Sequence, residues 1–121
     1  MKNKDIQLAT KLLQLTVENK IIWKLDDCPE HLVYGTDYIV PIYFEAEYNN
    51  QIFAIYKIRF QNYSPDFDTM YWSESIKLVV IDKEHQAVIW ENNQEISAIS
   101  NLFSYVQEQV SGINNIINNL A

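Results

Sequence analysis

The residues able to do chemistry in this chain are few and dispersed. His31 and His85 are its two histidines, and Cys28 is its single cysteine. Cys28-Pro29-Glu30-His31 places a thiol, a carboxylate and an imidazole close together in sequence. A thiol–imidazole nucleophile needs hydrogen-bond reach between the two groups and a third group to orient the base. Proximity within a turn supplies neither, so the segment reads as a surface turn with a packed or incidental cysteine. His85 follows Asp82-Lys83-Glu84 and reads as a solvated residue of a hairpin tip.

The carboxylates offer no stronger pattern. Asp26, Asp27, Glu30 and Asp37 form one group, and Asp66 and Asp68 another. A hard cation requires several oxygens converging at about 2–2.6 Å. The calcium-loop order of acidic residues around a glycine, closed by glutamate, is absent. These residues therefore read as turn formers. Glu45 and Glu47 share one face of a strand, where an acid–base pair is conceivable, but Lys57 on the next strand is the simpler charge partner. Gly35 and Gly112 are the only glycines, too few for a phosphate-cradling loop. No cysteine–histidine series suits structural zinc. The sequence thus assigns no catalytic, cofactor-binding or metal-ligating residue.

One segment rises above this background. Tyr63, Phe67, Met70, Tyr71 and Trp72 are interleaved with Ser64, Pro65, Asp66, Asp68 and Ser73. Aromatic anchors set among polar groups recur at protein contacts, because they bury large areas with few rotatable bonds. Tyr63, Asp66, Phe67, Asp68, Tyr71 and Trp72 are accordingly the candidate partner-binding residues. The competing reading is a loop, Asn62 to Ser75, folded back as a lid on the sheet or over a small-molecule cavity.

Charge narrows the partner. Sixteen acidic and nine basic residues give a formal net charge of -7. Arg59 and eight lysines leave no basic footprint for nucleic acid, whose binding draws on cations that neutralise phosphates. Base stacking on Tyr43, Phe53 or Trp90 would lack cationic support. Anionic lipid is disfavoured for the same reason. A basic protein partner fits, since an acidic face speeds its encounter. No run approaches the ~20 apolar residues of a membrane span, and the N-terminal stretch lacks signal-peptide character. A cytoplasmic location is the resulting expectation.

Positioning these residues requires secondary structure. Ile6, Ala9, Leu13 and Thr16/Val17 recur at helical spacing and predict a helix from about Asn3 to Glu18, left at Asn19. Ile21 to Leu25 predicts a short strand, and Asp26 to Asp37 a turn region. Ile42, Phe44, Ala46 and Tyr48 alternate, as do Ile52, Ala54, Tyr56, Ile58 and Phe60. A three-residue loop, Asn49 to Gln51, would pair Tyr48 with Ile52 and Phe44 with Tyr56, putting both sets on one face. Ile76–Ile81 and Ala87–Trp90 predict a second hairpin turning at Asp82–His85. The run Leu78–Ile81 suits a strand covered on both faces.

Helical spacing returns in Ile99, Leu102, Phe103, Val106 and Val110, with Asn93 or Ser97 as the cap. Beyond Gly112 the apolar period continues in phase, favouring one kinked helix over two.

These elements specify a single α+β domain, residues 1–121. It has two layers: an N-terminal helix, a mostly antiparallel five-stranded sheet, and a C-terminal helix or kinked helix pair. Both helices share one sheet face, leaving the other as a candidate interface, including one between two copies. The leading expectation for function is a non-enzymatic protein-binding or regulatory module, such as an acidic inhibitor or immunity-type protein. Its rivals are a small-ligand binder or small enzyme with an enclosed sheet–helix pocket, and a structural subunit of a larger assembly.

Overall fold

Asn3 opens the first helix by accepting the backbone N–H of Asp5 on its side-chain oxygen at 2.8 Å. That cap satisfies a donor that the helix itself leaves without a partner. The structure is a computed structural model that describes residues 3–120. Helix α1 (Lys4–Val17) ends where Asn19 turns left-handed, with φ 57°, and the N–H groups of Lys20 and Ile21 return to the Leu15 carbonyl.

Five antiparallel strands follow: β1 (Lys24–Leu25), β2 (Ile39–Tyr48), β3 (Gln51–Ser64), β4 (Thr69–Asp82) and β5 (Ala87–Glu91). Their order in the sheet is their order in the chain. Helices α2 (Ser97–Ser111) and α3 (Ile113–Asn118) complete the domain. The two-layer α+β architecture is as the apolar spacing requires. The strand expected over Ile21–Leu25 is shorter, because Ile21 and Trp23 leave the sheet edge and bury themselves between helices and sheet.

Register differs from the expected pairing by one residue. Tyr48 faces Gln51 and Phe44 faces Ile55, so the loop is two residues long. Asn49 and Asn50 both hold positive φ, 52° and 63°. A two-residue turn of that kind matches the right-handed twist of the strands it joins, and asparagine tolerates the conformation. The shift moves Ile52, Ala54, Tyr56 and Ile58 to the face opposite Phe44 and Ala46. Lys57 goes to the helix face, over the Phe103 ring at 5.8 Å, away from Glu45 and Glu47. Glu45 instead accepts from the Tyr43 hydroxyl at 2.9 Å, and Glu47 pairs with Lys83 at 2.8 Å.

Both sheet faces consequently carry a core. On one, Ala9 and Leu12 of α1 meet Ile99, Leu102, Phe103 and Val106 of α2 over Phe44, Ala46, Ile55, Ile76 and Leu78. Each such fully buried aliphatic side chain contributes about 1.5–3 kcal/mol. On the other face, Tyr43, Ala54, Tyr56, Ile58, Val79 and Ile81 are buried against Cys28, Leu32, Tyr38 and Val40. The turn region therefore serves as a strap, residues 26–38, which includes a short 3-10 helix at Glu30–Leu32. Much of the face expected to be free for an interface is covered by the chain itself. Tyr43 and Phe53, considered above as stacking platforms, are buried and half-buried.

Gly112 divides the C-terminal helices where the in-phase spacing favoured continuation. Its φ of 62° and ψ of 38° are left-handed, and its N–H bonds back to Glu108. Such a residue terminates a helix, and glycine adopts it without a steric penalty. Neither Asn93 nor Ser97 caps α2. The N-cap is Ile96, which makes no side-chain capping bond, while the Asn93 N–H is bound by Asp5 Oδ2 at 3.1 Å.

Candidate functional site

The segment expected to be a loop or lid is strand. β3 and β4 pair without interruption from Gln51↔Asp82 to Ser64↔Thr69, closed by a four-residue turn, Pro65–Asp68. Pro65 ends β3 only at the turn itself, where its fixed φ suits the first corner. Asp68 completes the reversal with a φ of 48°. No residue from 59 to 74 belongs to the core beneath the helices, and none of them is buried, so the last third of this hairpin extends beyond the helix layer.

Strand alternation decides which side chains meet there. Tyr63 faces Met70, Gln61 faces Trp72, and Arg59 faces Glu74, all on the sheet face that the helices cover further down. Asn62 faces Tyr71 and Phe60 faces Ser73 on the reverse. Of the six residues singled out from the sequence, Tyr63 and Trp72 therefore share a face, and Tyr71 lies opposite them. Asp66, Phe67 and Asp68 form the tip. Met70, part of the same segment but not among those six, belongs with Tyr63 and Trp72; its place two residues before Trp72 in a strand is the sequence signal for it.

The exposure of these groups is large. Tyr63, Met70 and Trp72 are each 53% exposed, Tyr71 49%, and Phe67 80%. The Tyr63 hydroxyl donates to Asp68 Oδ1 at 2.5 Å, which fixes the ring against the turn. That hydrogen bond to a carboxylate favours the neutral phenol and raises its pKa. Arg59 Nε donates to Glu74 Oε2 at 2.7 Å at the base of the same face. The guanidinium holds the Glu74 carboxyl below the usual glutamate range. On the reverse, Asn62 Nδ2 donates to Ser73 Oγ at 2.7 Å. The strap braces the base from that side: Tyr38 meets Phe60 edge-on at 6.1 Å, and Asp37 Oδ2 accepts the Gln61 N–H at 3.3 Å.

The remaining sequence candidates fall elsewhere. Cys28 is half-buried on the inner side of the strap, its thiol 3.6 Å from the Pro29 carbonyl, and burial pushes its pKa up to about 11. His31 lies exposed on the 3-10 helix and shares no hydrogen bond with Cys28 among the described residues. His85 and Asp82 bond across the β4–β5 turn, which spans Lys83–Gln86. That contact lowers the Asp82 pKa. Burial raises the pKa of Tyr43 and Tyr56 on the strap side of the sheet, Tyr43 further through its bond to Glu45. Asp26 accepts the neighbouring Asp27 N–H at 2.8 Å, as a turn former does.

Among the described residues, no three histidine, cysteine, aspartate or glutamate side chains converge as a metal site would require. Open grooves mark the surface of the described residues. One lies between the C-terminal ends of α1 and α2 and the start of α3, and another between His31, Leu32 and the β5 edge. No described helix is long and apolar enough to cross a membrane. Comparison with protein-family models, with curated proteins and with solved structures returns no match.

Proposed function

We propose that this protein is a non-enzymatic binding module that engages a protein partner through the projecting end of the β3–β4 hairpin. The observation that supports this reading is the cluster of Tyr63, Met70 and Trp72 on one face of paired strands that extend beyond the helix layer. Large side chains held half in water by a rigid backbone lose little conformational freedom on binding, and so suit an interface. The acidic tip adds direction. Asp66 and Asp68 stand in a stretch without lysine or arginine between Arg59 and Lys77, which favours a basic partner. Occlusion of that partner's surface, as by an inhibitor or immunity-type protein, is the corresponding mechanism.

Affinity capture from the native host, with wild type and a Tyr63→Ala/Met70→Ala/Trp72→Ala variant as matched baits, tests the reading. A partner retained by wild type, lost by the folded variant and released by salt is the expected result. Identical capture by both baits overturns it. The small-ligand alternative draws little from the grooves, which are open. Both carboxylates with displaced acidity, Glu74 and Asp82, are displaced downward rather than toward a general acid.

A further inference from the structure

We propose that the outer edge of β4, from Met70 to Glu74, accepts an extended segment of the partner as an added strand, and that this segment carries lysine or arginine at its ends. The proposal rests on the reading of the hairpin as the partner-binding element.

β4 is paired to β3 along its whole length, without a register shift. On its other side, β5 covers only Val79–Asp82. Directly below, side chains stand in for a neighbouring strand. Asn92 Oδ1 accepts the Leu78 N–H at 3.0 Å, and the Asn92 N–H donates to the Leu78 carbonyl at 3.1 Å. Asn92 Nδ2 reaches the Ile76 carbonyl at 3.3 Å, and Glu95 Oε1 accepts the Ile76 N–H at 3.0 Å.

These bonds fix the direction of the peptide groups. Leu78 and Ile76 point their N–H and C=O away from β3. In an unbroken antiparallel ladder every second residue does the same. Glu74, Trp72 and Met70 therefore present outward donors and acceptors; no strand pairs with them among the described residues, and the one side chain that reaches them is Thr69, whose hydroxyl donates to the Met70 carbonyl at 3.3 Å and leaves all three N–H groups open. Proteins commonly protect such an edge with lysine, proline or a bulge. Thr69–Ser75 contains neither residue type, and the ladder has no bulge there. The opposite edge of the hairpin is partly closed, because Asp37 takes the Gln61 N–H.

Charge selects the occupant. Two copies pairing antiparallel about Trp72 would set Asp66 and Asp68 of one copy toward Glu74 and Glu95 of the other. Each chain carries a net charge of -7, so that arrangement adds like-charge repulsion. A foreign segment with basic ends instead meets the acidic tip at one end and Glu95 at the other. Its alternate side chains would lie beside Met70 and Trp72.

The probe is a capped synthetic peptide, Lys-Thr-Val-Thr-Val-Thr-Lys, with a counterpart ending in glutamates. Amide exchange of the isotopically labelled protein is followed by NMR during titration. On adding the basic peptide, the Met70, Trp72 and Glu74 N–H groups should slow by about tenfold or more. Tyr71 and Ser73, already bonded within the hairpin, should not change. Glu74→Pro, which removes an outward donor, should abolish the effect, and Glu74→Gln should keep it.

No protection by either peptide overturns the proposal, as does stronger protection by the glutamate-ended one. Protection that grows with protein concentration alone assigns the edge to self-pairing and also overturns it. A partner captured as described above whose binding survives Glu74→Pro but not Trp72→Ala leaves the binding reading intact and removes strand addition. The exchange pattern of the wild-type protein decides the matter even where the proline variant does not fold.

Discussion

Gln109 and Trp23 are joined across 86 positions of sequence: Gln109 Oε1 accepts the Trp23 backbone N–H at 2.8 Å. The same carboxamide donates to the Ile21 carbonyl at 2.9 Å. One side chain of α2 thereby satisfies two backbone groups of a segment that belongs to neither helix nor sheet. Its neighbour Thr16 accepts the Trp23 indole N–H at 3.0 Å and donates to the Leu12 carbonyl at 2.7 Å. Gln109→Ala strands these backbone groups and should cost roughly 1–3 kcal/mol. A lower urea midpoint with an unchanged slope is the result to look for.

The tryptophans should separate stability from recognition. Trp23 is 3% exposed and Trp72 is 53% exposed. Trp23→Ala should destabilise the fold by about 3–5 kcal/mol. Trp72→Ala should stay within about 0.5 kcal/mol of wild type. Thermal and urea melts of the two variants measure the contrast, and a costly Trp72→Ala would mean that the hairpin packs more tightly than its exposure implies.

Acidity at the hairpin base follows from one ion pair. Arg59 depresses the folded-state pKa of Glu74, so the linked stability is present above the unfolded glutamate value of about 4.3 and is lost as pH falls through the lower folded value. Carboxyl NMR should show Glu74 titrating below that reference. Arg59→Gln should move it back up and flatten the acid limb of the stability profile.

Cys28 should be slow to react. With its pKa near 11, the thiolate fraction at pH 8 is on the order of a hundredfold below that of a free cysteine. Iodoacetamide labelling should accordingly lag a free-thiol standard, and its rate should climb steadily toward pH 11. Leu32→Ala, which loosens the strap packed beside Cys28, should accelerate labelling at fixed pH.

The two long helices and the covered parts of β2 to β4 are legible because burial imposes period. Leu12 and Ala9 in α1, and Ile99, Leu102 and Val106 in α2, repeat where one helix face meets the core. Leu78 and Val79 are consecutive and both buried, on opposite faces, as a doubly covered strand requires. The β2–β3 register was not legible from apolar alternation. Both faces of β3 are apolar, so matching Ile52 to Tyr48 looks as sound as matching Gln51. Turn geometry at Asn49–Asn50 settles it.

The projecting hairpin escaped for the opposite reason. Neither face of residues 61–75 is fully covered, so no apolar–polar alternation marks the strands, and Pro65, Asp66 and Asp68 resemble a loop. The signal that remained was composition: tyrosine, tryptophan and threonine at Tyr63, Thr69, Tyr71 and Trp72 favour extended backbone. The aromatic cluster was visible in the chain, but its division between two faces needed the ladder.

Because each strand pairs with its neighbour along the chain, β2 to β5 join through tight turns at little entropic cost, and only β1 is reached through the longer strap. The expensive closures are concentrated at the helices, where Asp5 meets Asn93 and Gln109 meets Trp23. Local pairing thus accounts for the sheet, while the contacts that tie α1 and the segment after it to the C-terminal part of the chain span nearly the whole sequence.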